Sequence, residues 1–203
     1  MLLAEELDHR GMFSEIDTWR RNQELFSVGD TDLTAAIRLQ SDQYARGLKG
    51  LAVSEVHEIA LSLASKIHLT SGFESFYHYL RSTGARKVLV TSSPYEALPA
   101  ILSRFPFDVV FAFRLVTESG RFTGAYSTPM TPDVKRERLT ELMAGRRNVG
   151  SWGIGDRPED METFSVLESR ILMGNRSLSG RVSLPFYRVA DFDGVLTLLR
   201  RGS

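Results

Sequence analysis

The chain has 203 residues, with 25 Lys and Arg against 25 Asp and Glu and no cysteine. The lack of cysteine excludes disulfide scaffolds, thiolate metal sites and thiol nucleophiles. The formal net charge of zero argues against nucleic acid as a partner, because binding to a phosphate backbone needs a basic excess. A chain of this length is typical of one domain, or of a domain with a small appendage.

The N-terminal segment and the hydropathy of the chain predict its cellular location. Residues 1–8 turn acidic at Glu5 and lack a basic region followed by a long apolar run, which argues against a secretory signal. No stretch approaches the roughly 18 uninterrupted apolar residues of a membrane-spanning helix. We therefore expect a cytoplasmic protein with no membrane partner; the sequence does not indicate its oligomeric state.

The first seventy residues have the pattern of helices. Apolar residues recur at spacings of three and four rather than two, and Gly11, Gly29 and Asp30 interrupt the pattern. This predicts three or four short helices. Residues 71–74 read Ser-Gly-Phe-Glu, which has the form of a capping box, and they predict that a further helix starts there.

From Arg86 onward, short strands alternate with helices. Strands are predicted at residues 88–90, 109–112, 149–154 and 170–173, and helices at residues 97–102, 135–143 and 160–167. Residues 113–126 alternate about Glu118-Ser119-Gly120, which predicts a β-hairpin. Alternating strands and helices predict an α/β fold with a parallel sheet covered on both faces. Residues 1–70 would then be a helical appendage.

Polar residues follow two of these strands, where ligands of open parallel sheets bind. Thr91 and Ser92 end the first strand, and their hydroxyl groups beside a helix start could bind phosphate; an ordinary helix start has the same composition. Asp156 and Asp160 follow the third strand and suit Mg²⁺, although acids also favour a helix N-terminus on their own account. Lys135 opens a helix and either neutralises a phosphate or lies at the surface.

In order and spacing, these clusters together resemble one family. Residues 88–94, 121–124, Lys135 and residues 155–161 look like the haloacid dehalogenase superfamily, in its phosphoserine-phosphatase-like branch. The resemblance extends over nearly the whole chain. It implies a three-layer, Rossmann-like parallel-sheet core at residues 71–203 and an all-helical cap at residues 1–70.

The resemblance also implies a function and a role for each polar cluster. It implies a magnesium-dependent phosphomonoester hydrolase that acts on a small phosphorylated substrate through an aspartyl-phosphate. Thr91 and Ser92 would bind the phosphoryl oxygens. Lys135 would hold the phosphate and the charge of the nucleophile. Asp156 would ligate Mg²⁺, with Asp160 supporting the site.

The nucleophile motif of the family does not occur at the position in the sequence that the resemblance predicts. Family members begin with a strand that ends in Asp-x-Asp-Gly, whereas here this motif occurs at residues 191–194. If the chain is circularly permuted, Asp191 is the nucleophile and Asp193 the general acid and base. Alternatively, residues 186–201 are the ordinary family tail, an outer strand and a short helix.

Two features of the sequence favour the tail. Arg188 would be a charge inside a buried central strand, and residues 175–185 are too few for a crossover helix. If the tail interpretation holds, either the nucleophile strand lies upstream of Met1 or the protein is a catalytically inactive module that binds a phosphorylated ligand or a protein partner.

Overall fold

A computed structural model describes residues 2–25, 32–174 and 183–201. The helices are α1 Leu2–His9, α2 Ile16–Leu25, α3 Leu33–Leu48, α4 Val53–Ser62, α5 Phe73–Ser82, α6 Pro99–Arg104, α7 Pro132–Met143, α8 Pro158–Thr163 and α9 Phe192–Arg201. The strands are β1 Val88–Pro94, β2 Val109–Phe113, β3 Leu115–Glu118, β4 Arg121–Tyr126, β5 Trp152–Gly155, β6 Ser169–Met173 and β7 Tyr187–Val189. The predicted interruption at Gly29 and Asp30, and most of the connection over residues 175–185, lie outside the described residues.

The α/β class predicted from the sequence is confirmed. β1 pairs with β2 in parallel, and β5, β6 and β7 form a parallel sheet in that order. β3 and β4 form the predicted antiparallel hairpin. The third predicted strand is shorter than expected, because β5 begins only at Trp152 and the side chain of Val149 is 74% exposed.

The chain forms two compact units. Unit 1 comprises Met1–Ile67 and Val88–Thr131, and unit 2 comprises His68–Lys87 and Pro132–Ser203. Strands β1 to β4 therefore belong with the N-terminal helices, and strands β5 to β7 belong with α5 and the C-terminal helices. The cap boundary at residue 70 stays a prediction; it lies close to the point where the chain leaves unit 1.

The core of unit 1 lies between its helices and strands. Helix α3 packs against α2 and β4, and α4 packs against α6. The largest fully buried apolar side chains of this unit come from both kinds of element: Leu7, Trp19, Leu48, Val56 and Phe113. Their burial is the main stabilising contribution to the unit, because burying a large apolar side chain is worth about 1.5–3 kcal/mol.

The hairpin of β3 and β4 is joined to the helices of unit 1 by backbone hydrogen bonds. The N–H of Gly50 donates to the carbonyl of Phe122 at 2.8 Å, and the N–H of Phe122 donates to the carbonyl of Leu51 at 3.1 Å. Ser119 and Gly120 both have positive φ, 48° and 76°, which is the conformation that a tight two-residue hairpin turn requires. The predicted turn is therefore confirmed at these residues.

The core of unit 2 is built on β6 and the two helices that pack over it. Ile171 of β6 and Val195 of α9 are fully buried. Phe192 of α9 stacks on Phe76 and meets Phe73 edge to face, with both pairs of ring centroids 5.0 Å apart. These aromatic contacts fix α5 against α9.

Helix α5 begins where it was expected, and the capping box predicted at residues 71–74 stays a prediction. Gly72 is the N-cap residue with a left-handed φ of 77°, and as a glycine it has no side chain to cap the helix. The hydroxyl of Ser71 donates to Oδ2 of Asp193 at 3.1 Å. A side chain at position 72 would place its Cβ 2.5 Å from the backbone nitrogen of Asp193, so this close approach of chain segments requires glycine.

The helices in the described part of the chain are unsuited to crossing a membrane, since none joins sufficient length to sufficient apolar character.

Candidate functional site

The carboxyl end of β5 carries the two aspartates predicted to bind a metal. β5 ends at Gly155, and Asp160 lies in the first turn of α8, where its Oδ2 accepts the N–H of Arg157 at 3.2 Å. Gly155 makes this arrangement possible, because a Cβ there would lie 2.4 Å from the Cβ of Asp160. The absence of a side chain at Gly155 therefore lets the Asp160 carboxylate lie against the end of the strand.

Lys135, in the first turn of α7, belongs to the same group of charges. α7 packs against α8, and the Lys135 ammonium interacts with the carboxylates of Asp160 and Asp156 and with the guanidinium of Arg157. Burial lowers the pKa of Lys135, and the two carboxylates oppose that effect. Burial raises the pKa of Asp160, opposed chiefly by Lys135. The opposite charges of Lys135 and Asp160 thus offset part of the free-energy cost of burying each of them.

The two aspartates suit Mg²⁺ better than they suit a metal ion that is coordinated by protein side chains alone. In residues 2–25, 32–174 and 183–201, no three His, Asp or Glu side chains lie close enough together to hold a metal. Mg²⁺ usually takes one or two carboxylates and completes its shell with waters and phosphate oxygens. Asp156 is exposed to solvent, whereas burial raises the pKa of Asp160. A cation bound at these two side chains would favour the charged form of Asp160.

The predicted phosphate-binding hydroxyls lie in unit 1, at the end of β1. The hydroxyl of Ser92 donates to the carbonyl of Met130 at 2.9 Å, and Oγ1 of Thr91 accepts the N–H of Ser93 at 3.1 Å. Thr91 therefore keeps its hydroxyl proton for a phosphoryl oxygen, whereas Ser92 would have to turn away from Met130. Phosphate binding by either residue stays a prediction.

The helix predicted at residues 97–102 is present, with its start shifted to Pro99. β1 continues to Pro94, a 3-10 helix follows at Tyr95–Ala97, and α6 begins only at Pro99. The pairing of β1 with β2 shifts register between Val90 and Pro94, so the strand end is irregular. The N-terminus of α6 is therefore separated from Thr91 by a further turn of chain, and the predicted order of strand, turn and helix is confirmed.

Asp191 and Asp193 lie at the start of α9. Oδ1 of Asp191 accepts the N–H groups of Asp193 and Gly194, each at 3.1 Å, which is the geometry of an N-cap. Oδ2 of Asp193 accepts the hydroxyl of Ser71. In the described residues β7 pairs only with β6, at the edge of the sheet. An outer strand followed by a short helix is what the tail interpretation predicts; catalysis by Asp191 and Asp193 stays a prediction.

Glu96 is a further half-buried residue, and the sequence pattern does not single it out. One of its carboxylate oxygens, Oε2, is buried and has no hydrogen-bond partner in the described residues. Glu96 belongs to the 3-10 helix directly after β1, the strand that carries Thr91. The only indication in the sequence is an acidic residue between the apolar strand and the apolar helix that follows it, and such residues are usually exposed.

The comparisons with known proteins agree with this architecture. A family model described as haloacid dehalogenase-like hydrolase matches residues 5–165. No curated protein matches the chain. A solved structure titled as a substrate-bound phosphoserine phosphatase complex superposes with a TM-score of 0.67 and 18% identity, over 98% of this chain and 90% of that one.

Two further solved structures resemble the chain. A probable phosphoserine phosphatase from Vibrio cholerae has a TM-score of 0.70 and 15% identity, over 98% of this chain and 59% of that one. A phospho-aspartyl intermediate analogue of phosphoserine phosphatase has a TM-score of 0.61 and 19% identity, over 85% of this chain and 79% of that one. At these identities, the superpositions show a shared fold and nothing more. Since the family model covers most of the chain, this protein belongs to the haloacid dehalogenase-like hydrolase family.

Proposed function

We propose that this chain is a magnesium-dependent phosphomonoester hydrolase that acts on a small phosphorylated substrate in the cytoplasm. The observation that carries the proposal is the group of Lys135, Asp156 and Asp160 at the carboxyl end of β5. One cation and two carboxylates, partly withdrawn from water, suit a phosphate dianion together with a divalent metal. The similar structures whose titles name phosphoserine phosphatases support a phosphate ester as the substrate.

Each residue of this group has a role that its surroundings support. The Lys135 ammonium would bind the phosphoryl oxygens, and its partial burial strengthens that attraction because less solvent screens it. Asp156 and Asp160 would hold Mg²⁺, with Asp160 oriented by the N–H of Arg157. When bound, Mg²⁺ supplies positive charge to the phosphoryl group. Thr91 of unit 1, whose Oγ1 accepts the N–H of Ser93, would bind a phosphoryl oxygen through its hydroxyl proton.

The route of hydrolysis depends on the nucleophile. In the permuted arrangement, the carboxylate of Asp191 would attack phosphorus to give an aspartyl-phosphate, and Asp193 would protonate the leaving alcohol and then activate water. The alternative is a catalytically inactive module that binds a phosphorylated ligand or a protein partner. The two N–H groups that Asp191 accepts favour this alternative, because they stabilise its carboxylate as a helix cap and reduce its nucleophilicity.

The test is magnesium-dependent hydrolysis of para-nitrophenyl phosphate by the whole chain and by two variants, Asp156→Asn and Asp191→Asn. Asp133→Asn is the matched control, because Asp133 is an exposed aspartate on α7 that pairs with Arg136. Circular dichroism shows whether each variant is folded. We expect Asp156→Asn to lose activity by about 100-fold or more, the scale of removing a group that stabilises transition-state charge, and Asp133→Asn to keep it.

The outcomes separate the two candidates. If Asp191→Asn is also inactive while folded, the permuted mechanism is supported. If the folded chain binds inorganic phosphate without hydrolysing the ester, the inactive module is supported. Activity that survives both Asp156→Asn and removal of Mg²⁺ by a chelator would refute the proposed metal site.

A further inference from the structure

An open cavity lies in unit 2, between the end of α7, the loop at residues 144–151 and the 3-10 turn that follows α8. Its volume is about 430 Å³. Three apolar and three polar side chains make up most of its lining: Met143, Val149, Val166, Arg146, Arg147 and Asn148. Cavities that bind small molecules have volumes of about 300–1,000 Å³ and combine apolar walls with a few polar groups. The size and the lining are therefore those of a small-molecule site.

Val149 gives this cavity an apolar group that the packing of the chain leaves in water. Its side chain is 74% exposed, the highest value for a large apolar residue in the part of the chain that the structure describes. Met143 and Val166 belong to the same lining and are half-buried. Apolar surface gains free energy when it is withdrawn from water. The apolar part of a ligand would therefore be favoured against these three side chains.

The charge of the cavity is positive. Among the described residues, the guanidinium groups of Arg146 and Arg147 make no hydrogen bond or ion pair, and no acidic residue belongs to the described lining. The acidic residues on either side of the loop have other contacts. Glu141 pairs with an arginine of α7 at 3.0 Å, and Oε2 of Glu168 accepts a backbone N–H of the loop. An anionic group is therefore the complement of this cavity.

The loop that carries the two arginines is fixed by its own backbone. The N–H of Arg146 donates to the carbonyl of Met143 at 2.9 Å, and the N–H of Ser151 donates to the carbonyl of Asn148 at 2.9 Å. A loop that is already ordered loses little conformational freedom when a ligand binds. Arginines after a helix C-terminus also offset the helix dipole, which accounts for their charge but not for the cavity or the exposed valine.

The cavity is separate from the candidate metal and phosphate site of the same unit. Lys135 lies in the first turn of α7 and Met143 is its last residue, so with a rise of about 1.5 Å per residue they are about 12 Å apart along the axis. The loop precedes β5, whereas Asp156 follows it. The two sites therefore lie at opposite ends of α7 and of β5.

We propose that this cavity is a second binding site, for a small organic anion that joins an apolar body to a carboxylate, sulfonate or phosphate group. Arg146 and Arg147 bind the anionic group, and Val149 covers the apolar body together with Met143 and Val166. The inference goes beyond the proposed function and does not depend on it, because it involves neither Mg²⁺ nor hydrolysis of a phosphate ester.

Three compounds test the two halves of this ligand: naphthalene-2-sulfonate, the neutral naphthalene-2-sulfonamide, and methanesulfonate, which has the charge without the rings. Calorimetric titration of the whole chain without Mg²⁺ measures each Kd. We expect naphthalene-2-sulfonate to bind more tightly than the sulfonamide by about 2- to 30-fold, the sum of two exposed ion pairs, and methanesulfonate to bind most weakly. Naphthalene-2-sulfonate that binds no more tightly than either of the others would overturn the inference.

Variants of the lining show whether this binding occurs in the cavity. The double variant Arg146→Gln and Arg147→Gln should remove the preference for the sulfonate, and Arg136→Gln, at an exposed arginine of α7 outside the lining, should keep it. Val149→Ala should weaken both naphthalene compounds by about 4-fold, the effect of one CH₂ group withdrawn from water. Val116→Ala, at a valine of unit 1 that is 44% exposed, is its matched control. Circular dichroism shows whether each variant is folded.

Three results would overturn the inference. The first is a preference for the sulfonate that survives in the double arginine variant, or affinities that do not change in Val149→Ala. The second is loss of sulfonate binding in a folded Lys135→Gln chain, which would place the ligand at the candidate phosphate site. The third is a dimer in analytical ultracentrifugation that Val149→Ala converts to monomer, because a second copy of the chain would then cover the cavity.

Discussion

Replacing Gly155 by alanine tests the close approach of β5 to Asp160. The Cβ of the new side chain would lie 2.4 Å from the Cβ of Asp160 and 2.5 Å from its Oδ2, about 1 Å short of an ordinary contact. Overpacking of this kind costs about 1–3 kcal/mol. The φ of Gly155 is not in the left-handed region, so alanine is otherwise tolerated and would gain about 0.4–1 kcal/mol through the unfolded chain. The balance is a net destabilisation of about 1–2 kcal/mol.

Urea denaturation of the whole chain measures this balance. With an m-value of about 2 kcal/mol/M, the midpoint should fall by roughly 0.5–1 M. The matched background is Asp160→Gly, which removes the atoms that the new methyl group would meet. In that background Gly155→Ala should cost much less, and the difference between the two backgrounds gives the coupling between the positions. A Gly155→Ala chain as stable as the parent, or more stable, would refute the close approach.

Three further substitutions test other parts of the structure. Asp191→Ala should destabilise the protein by about 0.5–2 kcal/mol in urea because α9 loses its cap, whereas Asp191→Asn, which can still accept, should be nearly neutral; equal losses would contradict capping. Ile171→Ala should cost about 2–5 kcal/mol, since Ile171 is fully buried, and a loss below 1 kcal/mol, roughly that of a surface change, would argue against its place in the core. Glu6→Gln should destabilise near neutral pH and not in acid: hydrogen bonds from Lys66 and Arg10 lower the pKa of Glu6, so its contribution is present above the unfolded pKa and is lost as the pH falls through the folded one. Denaturation at about pH 7 and about pH 3 compares these conditions, and a difference that persists in acid would exclude the ion pairs as its cause.

Local patterns were sufficient to predict most elements of the fold. The spacing of apolar residues identified the N-terminal helices, and the short β-branched runs identified β1, β2 and β6. The turn at Ser119 and Gly120 followed from the sequence because a two-residue hairpin needs positive φ there, a property of those residues themselves. These predictions succeeded because helix and strand periodicity depend on neighbours in the sequence.

Contacts from distant segments are what the local patterns did not contain. The hydroxyl of Ser71 donates to Asp193, which is far away in the sequence. The helix predicted at residues 97–102 begins slightly later, at Pro99, because β1 continues to Pro94 and a 3-10 turn intervenes. In each case a local preference competed with tertiary packing, which the pattern of nearby residues does not contain.

The sequence by itself determined the α/β class, the order of the elements and the residue types that suit phosphate and Mg²⁺, because these depend on periodicity and on the chemistry of single side chains. Only the tertiary structure decided which charges share one environment. It joined Lys135 to Asp160, gave Asp191 the position of a helix cap, and buried the hydroxyl of Tyr44 and Oε2 of Glu96 with no hydrogen-bond partner among the described residues. The physical reason is that burial and electrostatic interaction depend on distance in space, and folding alone brings residues from separate elements within that distance.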